Sequence, residues 1–135
     1  MIVSPLNFVM HINQLSGVIV DILIHMHKEL GPGLFESVYE EVLASELDKR
    51  EIGYRRQQVI PIVYDDVVLV ENAFKADIIV DNRIIIELKS IDQLSPVHYK
   101  QLLTYLRLTG IKLGLLVNFN EVLIKDGIHR VVNNL

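Results

Sequence analysis

Three ionisable residues stand where apolar ones belong. Asp77 sits within Phe74 to Val80, and Glu87 and Lys89 follow Ile84-Ile85-Ile86, in stretches that otherwise read as buried strands. Ionised groups there are costly unless they are paired or hold a cation. Glu87 and Lys89 are two apart and share a strand face. A three-residue turn at Asp81-Asn82-Arg83 sets Asp77 directly opposite Glu87, so that all three side chains meet on one face. A two-residue turn at Asp81-Asn82 sends the acids to opposite faces instead. Two converging carboxylates suit an oxygen-seeking cation such as Mg²⁺ or Mn²⁺, and the lysine could position or deprotonate a water on it. A salt bridge from Lys89 to either acid is the plain structural alternative.

Other polar residues are less pointed. Glu36, near the start of a helix, aligns with Leu43 and Leu47 on the border of the apolar stripe, where a carboxylate also favours the helix dipole. Glu46 falls deeper in that stripe and implies a buried partner. Gln101 and Tyr105 are four apart on another helix, able to hold a water or phosphate from one face. His25 and His27 are two apart and face different ways, while His11, His98 and His129 are scattered, so no histidine zinc site is expected. Gly31-Pro32-Gly33 lies between helices rather than after a strand, which excludes a phosphate-binding glycine loop.

The elements that must position these residues are legible from periodicity. Leu15, Val18, Ile19, Ile22, Leu23, Met26 and Leu30 predict an amphipathic helix with Ser16 as its cap, ended by Gly31-Pro32-Gly33. Leu34 to Arg50 repeats the pattern. Strands follow at Gln57 to Tyr64, Val67 to Val70, Phe74 to Val80 and Arg83 to Leu88, an antiparallel meander broken at Asp65-Asp66, Glu71-Asn72 and Asp81-Asn82. Ser95-Pro96 caps a helix that stops at Gly110. A strand at Leu113 to Phe119 and a hairpin of Val122 to Lys125 with Ile128 to Val132 complete the chain. The fold class is α/β, a mixed central sheet flanked by helices.

Length and composition agree. The 135 residues fit one domain over 1–135, and 50% hydrophobic residues supply its core without long disordered tails. The absence of Cys excludes thiol chemistry. Asp21 and His25 break the most apolar segment well short of a membrane span, and no secretory signal is evident, so a cytoplasmic protein is expected. A net charge of −4 argues against coating nucleic acid by bulk charge and leaves room for a local basic groove.

Gly33-Leu34-Phe35-Glu36-Ser37-Val38-Tyr39 resembles the signature of the GxxExxY proteins, a prokaryotic family placed in the PD-(D/E)xK nuclease superfamily. The resemblance continues through Ala76-Asp77, Glu87-Leu88-Lys89, Gln101 to Leu106 and Leu115 to Phe119, nearly the whole chain from about Asn13. It implies a restriction-endonuclease-like core with its site where two core strands diverge. Asp77 would match the first acidic residue, Glu87 the second, Lys89 the lysine, Glu36 the acid on the preceding helix and Gln101 the helix position that often follows. Ala76 departs from the pattern, standing where the proline precedes the first acid.

The reading that follows is a divalent-metal-dependent nuclease acting on DNA. Asp77, Glu87 and Glu36 would hold Mg²⁺ or Mn²⁺, Lys89 would activate water, and Gln101 would support them. Lys75, Lys100 and Arg107 are the nearest cations for substrate, and a compact nuclease core fits a homodimer. The rival reading is a catalytically silent interaction or nucleic-acid-binding module with Asp77, Glu87 and Lys89 in a salt-bridge cluster. A small-molecule hydrolase using the same site is a third.

Overall fold

The computed structural model describes residues 10–135. Helix α1 spans Ile12–Leu30 and α2 spans Glu36–Lys49; then come β1 (Tyr54–Tyr64), β2 (Val67–Val80), β3 (Ile84–Lys89), α3 (Pro96–Thr109), β4 (Leu113–Asn118) and β5 (Ile128–Val132). The five strands form one sheet in sequence order. Neighbours are antiparallel except β3 and β4, which run parallel with α3 as their crossover. This is the expected α/β architecture.

The apolar periodicity explains the layers. Leu15, Ile19, Ile22, Leu23 and Met26 of α1, with Tyr39, Leu43 and Leu47 of α2, pack on one sheet face against Ile78, Val80, Ile84, Ile86, Leu113 and Leu115. On the other face Leu102, Tyr105 and Leu106 of α3 cover Ile60, Ile79, Ile85 and Leu116. β3 and β4 are therefore apolar on both faces, as a covered strand must be.

Local boundaries differ from expectation in three places. The α1 cap is His11, whose Nδ1 accepts from the Asn13 N–H at 3.1 Å while its own N–H donates to Gln14. Ser16 lies buried inside the helix and donates to the Asn13 carbonyl. The segments around Glu71-Asn72 form one strand, because register shifts between Ile60 and Val63 let β2's fourteen residues run against β1's eleven without a turn. The terminal segment is not a hairpin: Ile124–Asp126 forms a 3-10 turn and β5 pairs with β4 instead. The Ser95-Pro96 start and Gly110 stop of α3 hold as expected. No helix among the described residues is long and apolar enough to cross a membrane.

Candidate active site

The turn between β2 and β3 fixes the acids. Val80 pairs with Ile84, Ile79 with Ile85 and Ile78 with Ile86, so the loop has three residues, Asp81 to Arg83, and the register carries Asp77 opposite Glu87. The backbone ladder stops one pair short of them. In its place Glu87 Oε1 accepts from the Asp77 N–H at 3.1 Å, and Asp77 Oδ2 accepts from the Leu88 N–H at 2.8 Å. The strands part here because carboxylates have taken the amides that would have bridged them.

Glu87 is only 6% exposed. Burial, reinforced by the charge of Asp77, pushes its carboxyl up to about 9, while Lys89 pulls weakly the other way. Below that pH Glu87 holds a proton. Burial, with the charges of Glu87 and Asp77 added, pushes the Tyr105 phenol on α3 up to about 12. Lys89 forms no ion pair among the described residues, so a salt-bridge cluster with Asp77 and Glu87 is not present.

The acid on α2 is positioned by a chain of contacts that starts in the Gly31-Pro32-Gly33 loop. The ring of Tyr39 stacks on Phe119 at 4.1 Å; its hydroxyl donates to the Gly31 carbonyl and accepts from the Leu34 N–H. Gly33, at φ 99°, supplies a backbone that other residues rarely adopt. Ser90 Oγ then donates to the Leu34 carbonyl at 2.6 Å, and the Ser90 N–H donates to Glu36. Tyr39 thus ties the start of α2, and Glu36 with it, to the loop after Lys89. That loop is held from beneath by buried Asn118, which bonds both the N–H and the carbonyl of Ile91.

Glu36 and Asp77 line one cavity of about 300 Å³ with Ser37, Glu40, Gln57 and Leu88. A wider cavity of about 560 Å³ adjoins it through Glu36 and Ser37 and is rimmed by Phe35, Ser90 and Asp92. Of the expected residues, Asp77 and Glu87 are therefore in contact, and Glu36 faces Asp77 across the cavity. Lys89 stands beside Glu87, whereas Gln101 is exposed on α3 and makes no side-chain hydrogen bond among the described residues. Glu46 has no buried partner; it pairs with Lys49 and Arg50 on its own helix.

Two residues escaped the sequence reading. Glu40, one turn after Glu36, is buried and accepts from Arg56 at 2.8 Å and from Gln57 Nε2 at 2.6 Å. Spacing alone could have found it, since residues four apart share a helix face. Gln57 also reaches Asp77 at 3.5 Å, from a backbone at φ 48° in the middle of β1. No sequence signal announces a left-handed glutamine in a strand.

The donor set is all oxygen, which suits a hard divalent cation, and a buried carboxyl driven to keep its proton is one that a cation would satisfy. No three acidic or imidazole groups among the described residues are gathered as a ready cation cage. A family model of the PD-(D/E)XK nuclease superfamily matches residues 13–131. No curated protein and no solved structure matches the chain significantly.

Proposed function

The chain belongs to the PD-(D/E)XK nuclease superfamily, and from that premise we propose that it is a divalent-metal-dependent phosphodiesterase that hydrolyses DNA in the cytoplasm. The observation that carries this reading is Asp77 facing Glu87 where β2 and β3 part, with Lys89 two residues further on. The Gly33, Glu36 and Tyr39 arrangement supports assignment to the GxxExxY group within the superfamily.

Asp77 and Glu87 would hold the cation, with Glu36 joining directly or through water. Bound Mg²⁺ or Mn²⁺ supplies positive charge against the phosphate oxygens and lowers the pKa of a bound water. Glu87 gives up its proton when that site fills. Lys89, without a competing ion pair, holds the attacking water and the charge that develops on phosphate. Gln57 and Glu40 fix the direction of Asp77 from the α2 side. Tyr105 closes the α3 side, and Gln101, one turn before it, is free to reach a substrate phosphate. The silent-module reading would be favoured by Lys89 locked onto an acid, and it is not locked.

Thermal unfolding with and without millimolar Mn²⁺ tests the site without a guess at substrate. A metal at 100 times its dissociation constant stabilises the fold by about 2.7 kcal/mol, roughly 5–10 °C here. The rise should vanish in Asp77→Ala, and cleavage of single- or double-stranded DNA should require both the metal and Asp77. No rise in the parent removes the metal site. A normal rise with every DNA form left intact returns the protein to the silent class.

A further inference from the structure

α2 opens on a residue that its own position disfavours. Phe35 is the N-cap, with the extended backbone of a capping residue (φ −67°, ψ 151°), yet its side chain makes no cap bond. Ser, Thr, Asn or Asp there would satisfy a helix N–H that a phenyl ring leaves to water. Burial offers no compensation, because Phe35 is 82% exposed, more than any other aromatic residue among those described. The ring has no route inward. Leu34 is held by the hydroxyls of Tyr39 and Ser90 and packs against the core, and the Phe35 carbonyl accepts the N–H of Val38. A residue that breaks the local rule and gains nothing within the fold points to a contact outside it.

Phe35 lines the wider cavity together with Ser37, Ser90, Asp92 and Asn120. Glu36 and Ser37 also line the cavity of Asp77, so a group lying against Phe35 lies next to the acids. No Lys or Arg lines either cavity, and Glu36 and Asp92 are carboxylates, so this wall repels a phosphate. A neutral, flat group meets no such barrier. Ser37 and Asp92 make no side-chain hydrogen bond among the described residues and can bond the polar edge of such a group.

A nucleobase combines a π face for the ring with a polar edge for the hydroxyl and the carboxylate. In a duplex both faces are covered by neighbouring base pairs, whereas an unpaired base can turn one to an aromatic side chain. A single strand also carries fewer charges per unit length than a duplex, which suits a chain of net charge −4. We propose that Phe35 stacks on an unpaired base beside the scissile phosphate, so that the substrate is single-stranded DNA. The inference rests on the nuclease reading for its ligand and adds to it the strandedness and the residue that selects it.

Fluorescence anisotropy on the full chain, at low salt and with EDTA so that nothing is cut, compares a single strand of mixed sequence with its duplex. The single strand should bind more tightly. Phe35→Asn should weaken it roughly 5–100-fold and leave duplex affinity unchanged, while melting at or above the parent temperature because asparagine caps the helix. Phe35→Tyr should keep the affinity and Phe35→Leu should lose it, which separates a stacking face from apolar contact. A duplex bound as tightly as the strand, an unchanged affinity in Phe35→Asn, a leucine that serves as well, or no measurable binding of either form overturns the proposal. The Mn²⁺-induced rise in melting temperature is read separately. Its absence from the parent removes the metal site without altering the comparison of strand with duplex, and its loss in Phe35→Asn alone would make the residue structural and overturn the proposal.

Discussion

Glu87 makes the metal-free protein sensitive to pH in a defined direction. Its carboxyl lies at about 9 in the fold against an ordinary 4.5, so between those values the native state binds more protons than the unfolded chain. Stability is then complete below the ordinary value and falls as pH rises toward 9. Glu87→Gln keeps a neutral hydrogen-bonding group there and should flatten the profile, melting higher than the parent at alkaline pH in metal-free buffer. Mn²⁺ must displace the same proton, so its affinity for the parent should climb over that window, a dependence that calorimetry in buffers of different ionisation heat would read directly. Gln57 offers a second test at this scale. A left-handed backbone costs an L residue about 1–2 kcal/mol, which glycine avoids. Gln57→Gly should therefore be more stable than Gln57→Ala by about 1 kcal/mol, while both lose the link between Glu40 and Asp77 and bind Mn²⁺ roughly 10–100-fold more weakly. If alanine is the more stable, the backbone there is not strained.

Between residues and molecule, the elements hold the acids through a few close backbone contacts. At Gly127 a Cβ would collide with the Asn118 carbonyl oxygen, while the Asn118 N–H donates to the Gly127 carbonyl. Backbone cannot yield as a side-chain tip can, so Gly127→Ala should cost about 2–3 kcal/mol, roughly 6–12 °C in thermal melting. Because Asn118 also clamps the loop after Lys89, the metal-induced stabilisation should shrink with it. What the sequence disclosed at this scale was whatever is encoded locally. Ser95-Pro96 and Gly110 bracket α3 because a cap and a proline act within one turn, and the β2–β3 register followed once the turn had three residues. Glu71-Asn72 read as a turn because both residues are poor strand formers, yet they fall in a bulge whose flanks, Val70 and Phe74, pair with Ile62 and Ile60 of β1 and carry the strand through. The last strand was misassigned because β5 finds its partner in β4, some ten residues back, and not in the adjacent segment. Glu40 and Gln57 stayed hidden for a related reason: their roles arise only when α2 and β1 meet.

For the whole molecule, charge sets how the proposed nuclease would hold DNA. The net charge is −4 and the cavity beside Asp77 is lined by two further glutamates, so the summed charge gives DNA no long-range attraction. On that proposal binding would come from a few local contacts, for which exposed Lys75, Lys100 and Arg107 are the candidates. Each phosphate neutralised on a duplex contributes about 0.9 to the slope of log affinity against log salt, so three give roughly −2.7 and about a 40-fold loss between about 50 and about 200 mM salt. The Asp77→Ala protein, unable to cleave, lets fluorescence anisotropy measure that slope without turnover. Removing any one of the three cations should flatten it by about 0.9 and weaken all sequences alike, since phosphate contacts carry no base information. A slope near zero would mean that none of the three cations touches phosphate and that the metal ion itself supplies the attraction.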